Sequence, residues 1–227
     1  MANVNVSGIL KCADGTIIPL SETLAEGTES DLRTNSSYTV SVSQVGDYAP
    51  GKTVTHGYVQ ADHDISYCYI LRQGLIATII PVGVKGLAAN APLPLCVPFT
   101  LQPGDIVRAL AVTAASRATA TCVYTNRGVY RIFDVDSASG TVEPVDLQTN
   151  NSVGDTLQGQ TIIKAFNTAG SLGNCELIDG GGALMLNEKG MPVGAVPCNS
   201  PANQPVYWSD VQIPVALNYT WRITSSA

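Results

Sequence analysis

Glycine and proline interrupt this chain along nearly its whole length, with 21 of one and 13 of the other. In a helix interior each costs roughly 1 to 3 kcal/mol relative to alanine, so few stretches can sustain a long helix. Between the interruptions lie short runs rich in Val, Ile, Thr and Tyr, the side chains that fit a pleated surface. The pattern predicts an all-β chain, an antiparallel β-sandwich with very little helix. At 227 residues it can bury a substantial core, and β-sandwiches of this length commonly form one domain. The expected organisation is therefore a single β-sandwich domain over 1–227, with no repeat of fixed period visible.

Individual strands and turns can be placed by pattern. Asp14-Gly15 is a tight-turn pair between VNVSGIL and TIIPL and predicts an opening hairpin. In SYTVSVSQV, Tyr38, Val40 and Val42 alternate with Thr39, Ser41 and Ser43, the period of a half-buried strand. ISYCYILRQ and LIATIIPVGV are nearly continuous apolar runs, expected where another sheet or subunit covers both faces. LQPGD, Leu101 to Asp105, has the Pro and Gly of a β-turn and predicts a strand from about Ile106. Alanines and a capping Asp105 favour a helix there, but Val107, Val112, Thr113, Thr119 and Thr121 favour the strand. Asn126-Arg127-Gly128 predicts a second hairpin, and Asn187 to Gly190 a third. The stretch 134–160 is polar and turn-rich and reads as a long surface loop with at most one weak strand. Trp208 and Trp221 fall near the final strands.

Only 13% of residues are charged, against roughly 25% in an average soluble protein. A hydrophobic share of 45% excludes disorder. The small ionic fraction points to a surface that other chains cover. Net charge is −6, and the twelve Lys and Arg are scattered. Without the clustered cations that displace counterions from phosphate, direct nucleic-acid binding is not expected. MANVNVSGIL lacks the basic and apolar regions of a secretion signal, and no run is long enough to cross a bilayer. Cys12, Cys68, Cys96, Cys122, Cys175 and Cys198 include no C-x-x-C pair and read as mostly buried small hydrophobes in a reducing compartment, although six thiols allow pairing.

Catalytic and metal-binding patterns are sparse in this chain. His56 and His63 are the two histidines, and Asp62 and Asp64 flank the second at strand spacing. A metal needs three or four convergent ligands, so a polar turn before ISYCYIL is the better reading. No G-x-S-x-G elbow is present for a serine nucleophile, and neither histidine has the basic setting that would activate a cysteine. Asp134, Asp136 and Glu143 could pair as glycosidase carboxylates, but acids in loops are ordinarily just solvated. Gly180 to Gly182 lacks the lysine and helix of a phosphate loop and reads as a bulge or bend. Sequons at Asn5, Asn35, Asn150 and Asn218 carry no function without an export signal. No catalytic, cofactor-binding or metal site is predicted.

The expectation from these observations is a structural, self-assembling protein that is not an enzyme. Its partners would be copies of itself and other shell proteins. Roughly eight to ten strand-like runs fit the eight strands of a single jelly roll, which suggests a virus capsid subunit or capsid-decorating protein. Such a chain would reside in the virion after assembly in a host cytoplasm. The alternative is a carbohydrate- or receptor-binding β-sandwich, for which nine Tyr and two Trp supply aromatic surface.

Overall fold

A computed structural model of the chain describes residues 3–35, 41–42, 44–62, 64–82, 92–112, 118–136, 140–168, 172–178, 196–197, 206–208 and 212–225. It is mostly β, with antiparallel sheets and, among the described residues, two helices of a single turn. Where the sequence suggested one domain, the chain divides into two compact units, Met1–Ala114 and Ala115–Ala227.

The first unit contains β1 (Asn3–Cys12), β2 (Ile17–Ala25), β3 (Glu29–Leu32), β4 (Thr34–Asn35), β5 (Ser41–Val42), α1 (Val45–Tyr48), β6 (Thr53–Ala61), β7 (Asp64–Arg72), β8 (Leu75–Ile80), β9 (Leu93–Thr100) and β10 (Ile106–Val112). Two four-stranded sheets, β2-β1-β6-β9 and β3-β10-β7-β8, form a sandwich, and β4 pairs with β5. Strand β1 illustrates why. Val4, Val6 and Leu10 are buried while Asn3, Asn5 and Ser7 are exposed, so period-two alternation turns one face inward. Leu20, Leu24 and Val59 from the first sheet share one apolar cluster with Leu32, Cys68, Ile70, Val107 and Ala109 from the second. Each aliphatic side chain so buried contributes about 1.5–3 kcal/mol.

The predicted hairpin at Asp14-Gly15 joins β1 to β2, and the LQPGD turn leads into a strand that opens at Ile106. In β7 the register slips between Leu110 and Ala111 of its neighbour, which brings Ile65 and Cys68 to the same core face. Tyr67, Tyr69 and Ile79 belong to the opposite face and are buried too. Both faces of β7 and β8 are thus covered, as their continuous apolar runs implied. The strand expected in SYTVSVSQV is seen at Ser41–Val42. Residues 36–40 and 43 lie outside the described residues, and from Val45 the chain turns into α1.

The second unit contains β11 (Ala118–Thr125), β12 (Tyr130–Asp136), β13 (Gly140–Val142), β14 (Val145–Asp146), α2 (Val153–Leu157), β15 (Thr161–Thr168), β16 (Leu172–Ile178), β17 (Val196–Pro197), β18 (Val206–Trp208), β19 (Ile213–Pro214) and β20 (Thr220–Ser225). One sheet runs β14-β12-β11-β15-β18, with β19 also on β15, and the other runs β13-β20-β16-β17. The predicted Asn126-Arg127-Gly128 hairpin connects β11 and β12. The third hairpin, over 183–196, falls outside the described residues except at Val196, which opens β17.

The stretch read as one long polar loop instead holds β13, β14 and α2. Its few apolar residues explain this. Val153 and Leu157 stand four apart on one helical face and are fully buried, and the Ser152 hydroxyl caps the helix by accepting from the Asp155 amide. Buried Asp146 accepts from the Thr149 amide and hydroxyl at 2.9 and 2.6 Å, closing the turn between β14 and α2.

Candidate functional site

The sequence candidates for metal binding do not come together. Asp62 is engaged by Asn5, whose backbone amide and side-chain amide donate to its two carboxylate oxygens at 3.0 and 3.1 Å. His56 sits half-buried in β6 with Nδ1 2.9 Å from the Thr55 hydroxyl, and His63 lies outside the described residues. Asp64 begins β7, where its backbone pairs with Val112. Among the described residues no three His, Cys, Asp or Glu side chains converge as metal ligands would.

Cys12, Cys68 and Cys122 are buried and Cys96 is half-buried, matching the reading of cysteine as a small hydrophobe. Burial pushes the Cys68 thiol well above its ordinary range, and burial followed by the nearby Asp14 raises that of Cys12. A raised pKa leaves a thiol protonated and poorly nucleophilic. Cys175 lies in β16. Cys198 and the triple glycine fall outside the described residues. Asp134 and Asp136 lie in β12, and Glu143 is exposed beyond β13. Of the sequons, Asn5 is committed to Asp62 and also accepts from the Thr23 hydroxyl, whereas Asn150 and Asn218 are exposed in turns. Asn35 falls in β4.

Sequence reasoning did not anticipate the two densest polar groups of the first unit. One lies at the start of β10. The Arg72 guanidinium donates through Nε and an Nη to the two oxygens of Asp105 at 2.9 and 2.7 Å, and through the same Nη to the Thr100 carbonyl at 2.7 Å. Its carbon Cζ stands 4.4 Å over the Phe99 ring. Asp105 is fully buried and also accepts from the Gln102 amide at 2.7 Å. Each charge is therefore paired, and the carboxylate clamps the LQPGD turn. The bidentate fork requires Arg, which the turn signature alone could not reveal.

The other group lies on the second face of β3, β10 and β7. Tyr67 donates to Glu29 at 2.6 Å, Arg108 to Asp31 at 2.7 Å, and the rings of Tyr67 and Tyr69 stack with centroids 5.7 Å apart. The strand register makes this cluster, since Arg108 stands opposite both Asp31 and Tyr69 while Leu110 stands opposite both Glu29 and Tyr67. Burial, then Glu29, pushes the Tyr69 hydroxyl upward, and the hydrogen bond to Asp31 holds the Arg108 guanidinium protonated beyond its usual range. Neutral tyrosines and closed ion pairs can fix a surface, but they supply no activated nucleophile or general base.

The second unit has its own buried contact. Arg131 Nε stands 3.7 Å from Asp146 Oδ1, beyond hydrogen-bond reach, and both atoms are buried without a hydrogen-bond partner among the described residues. An Arg131 Nη donates instead to Gln148 at 2.6 Å. In both units the buried charges hold turns and strand edges. No helix among the described residues is long and apolar enough to cross a membrane. Comparison with protein-family models, curated proteins and solved structures finds no match to this chain.

Proposed function

We propose that this protein is a structural, self-assembling component of a virion, a shell subunit or shell-decorating protein, built from two jelly-roll-type units. Eight principal strands in two sheets, with consecutive strands such as β2 and β3 or β8 and β9 passing from one sheet to the other, support the jelly-roll part of the reading.

The observation that carries the assembly part is how the ionic groups are used. Arg33, Lys52, Arg72, Arg108 and Arg131 each stand beside an acid of their own unit: Glu22, Asp14, Asp105, Asp31 and Asp146. A charge-poor chain that engages its cations in this way presents small neutral side chains outward, such as Asn3, Ser7 and Thr23 on the first sheet. A neighbouring copy can cover such a surface without stranding an unpaired charge, the costly event in interface formation. Large apolar groups contribute little to that exterior. Among the described residues those exposed are Ile17, Leu75 and Leu217, so the contact would be broad and polar rather than greasy.

The test is sedimentation velocity of the full chain across micromolar concentrations, combined with negative-stain microscopy. Discrete rings, shells or other closed oligomers are expected. A monodisperse monomer throughout the range overturns the proposal, and a monomer that also binds on a glycan array would favour the carbohydrate-binding alternative.

A further inference from the structure

The strand orders of the two units correspond, apart from the β4-β5 pair in the first and β14 added beside β12 in the second. Reading along the chain, β1, β2, β3, β6, β7, β8 and β10 have the neighbours that β11, β12, β13, β15, β16, β17 and β20 have, and β9 matches the strand pair β18 and β19. Both units open with a hairpin whose second partner is the strand after the helix. The sequences show little of this, because the matching stretches are mostly interchangeable β-formers.

One segment does share residues at matching positions. Val45-Gly46-Asp47 is followed by Gly51 and Thr53, and Val153-Gly154-Asp155 by Gly159 and Thr161, at identical spacing. Its backbone hydrogen bonds are the same in both units. Gly46 donates to the Asp105 carbonyl at 3.0 Å and Gly154 to that of Tyr219 at 2.7 Å. Gly51 donates to Leu101 at 2.9 Å and Gly159 to Val215 at 3.0 Å. In return Leu101 donates to Lys52 and Val215 to Gln160, both at 2.9 Å. The opening hairpin is tied to this segment alike, with Ala13 donating to Thr53 at 2.8 Å and Asn126 to Thr161 at 2.9 Å.

The central glycine is required by contact. A β-carbon on Gly46 would stand 1.9 Å from the Gln102 carbonyl oxygen, and one on Gly154 would stand 2.3 Å from the Tyr219 amide. Both obstacles are backbone in the facing turn, which no side-chain rotation can clear. Gly51 and Gly159 follow with φ of 78° and 71°.

We infer that the chain is a tandem duplication of one eight-stranded module, and that the Val-Gly-Asp segment is the latch closing the same end of each copy. The latch ties three pieces of chain: the first hairpin, the one-turn helix and the turn before the last strand. Its sequence survives where the strands have diverged because backbone fits backbone there, whereas strand positions accept any side chain of suitable size. The buried Arg72 and Asp105 pair belongs to the first latch, and the second has Tyr219 in the place of Asp105. Duplication is independent of the proposed assembly role.

The test is an exchange within the full chain, placing the sequence of residues 152–161 at 44–53 and, in a second variant, the reverse. Hydrogen exchange read by mass spectrometry then follows peptides spanning each helix and its facing turn. If the segments are copies of one latch, each exchanged chain folds and keeps those amides protected to within roughly tenfold of the parent. Gly46→Val and Gly154→Val are the companions, and each should lose latch protection by a hundredfold or more, beginning in its own unit (about the factor expected when opening becomes easy). Loss of protection in both exchange variants, matching the valine variants, overturns the equivalence. Unchanged protection in Gly46→Val and Gly154→Val overturns the latch.

Discussion

Arg72→Met isolates the contribution of the buried pair at the first latch. The substitution keeps an unbranched side chain over Phe99 but removes two charge-assisted hydrogen bonds to Asp105, leaving that carboxylate with the Gln102 amide. The Asp105 side chain is only 1% exposed, against 28% for Arg72, so the group left behind is the one that water cannot reach. Breaking a buried pair costs about 3–5 kcal/mol, whereas a surface pair is worth about 0–1. The expected loss is about 4 kcal/mol at neutral pH, at the buried end of that comparison. Urea unfolding followed by far-ultraviolet circular dichroism measures it, with hydrogen exchange of β10 peptides as the local probe. Both tryptophans lie in the second unit, so their fluorescence would miss the event. A deficit below about 1 kcal/mol would refute the assignment of the pair as buried and structural. The double variant Arg72→Met, Asp105→Leu should recover most of the loss, falling short by about 1 kcal/mol for the Gln102 amide left unbonded.

Alkaline pH should destabilise the protein. Cys68 and Tyr69 have folded-state pKa values raised chiefly by burial, so their stabilisation is complete below the unfolded values and falls as pH climbs past about 8.5, by about 1.4 kcal/mol per unit per proton. Cys68→Ala should flatten the first part of that decline, and an unchanged pH profile would contradict the burial of the thiol. Leu10→Ala, at a fully buried site shared by both sheets, should cost about 2–5 kcal/mol in urea unfolding. Leu75→Ala, at a turn where the side chain is 64% exposed, should stay within about 0.5 kcal/mol. Tyr67→Phe removes the donor to Glu29 and should cost about 1–2 kcal/mol, and a neutral result would place that contact at the solvent edge.

Local rules were legible in the sequence wherever backbone conformation and side-chain alternation agree. Asp14-Gly15, Leu101 to Asp105 and Asn126-Arg127-Gly128 demand turns whatever surrounds them. The covered character of β7 and β8 was readable because no polar side chain interrupts Ile65–Leu71 except Ser66, the residue skipped at the register shift. The failures share a cause as well. Residues 134–160 look like solvated loop until Val153 and Leu157 find an apolar face to meet, and Asp146 looks like a surface acid until Thr149 turns back onto it.

What the sequence determined by itself was class: glycine and proline forbid long helices, and period-two runs of β-formers leave strands as the outcome. Tertiary structure decided which strands pair, because register joins residues such as Arg108 and Asp31 that lie far apart in the chain. It also decided that two compact units share one strand order, a fact hidden in sequence because pleated positions tolerate many apolar substitutions. The segment around Gly46 and Gly154, where chain meets chain with no room for a β-carbon, kept that kinship written in residues.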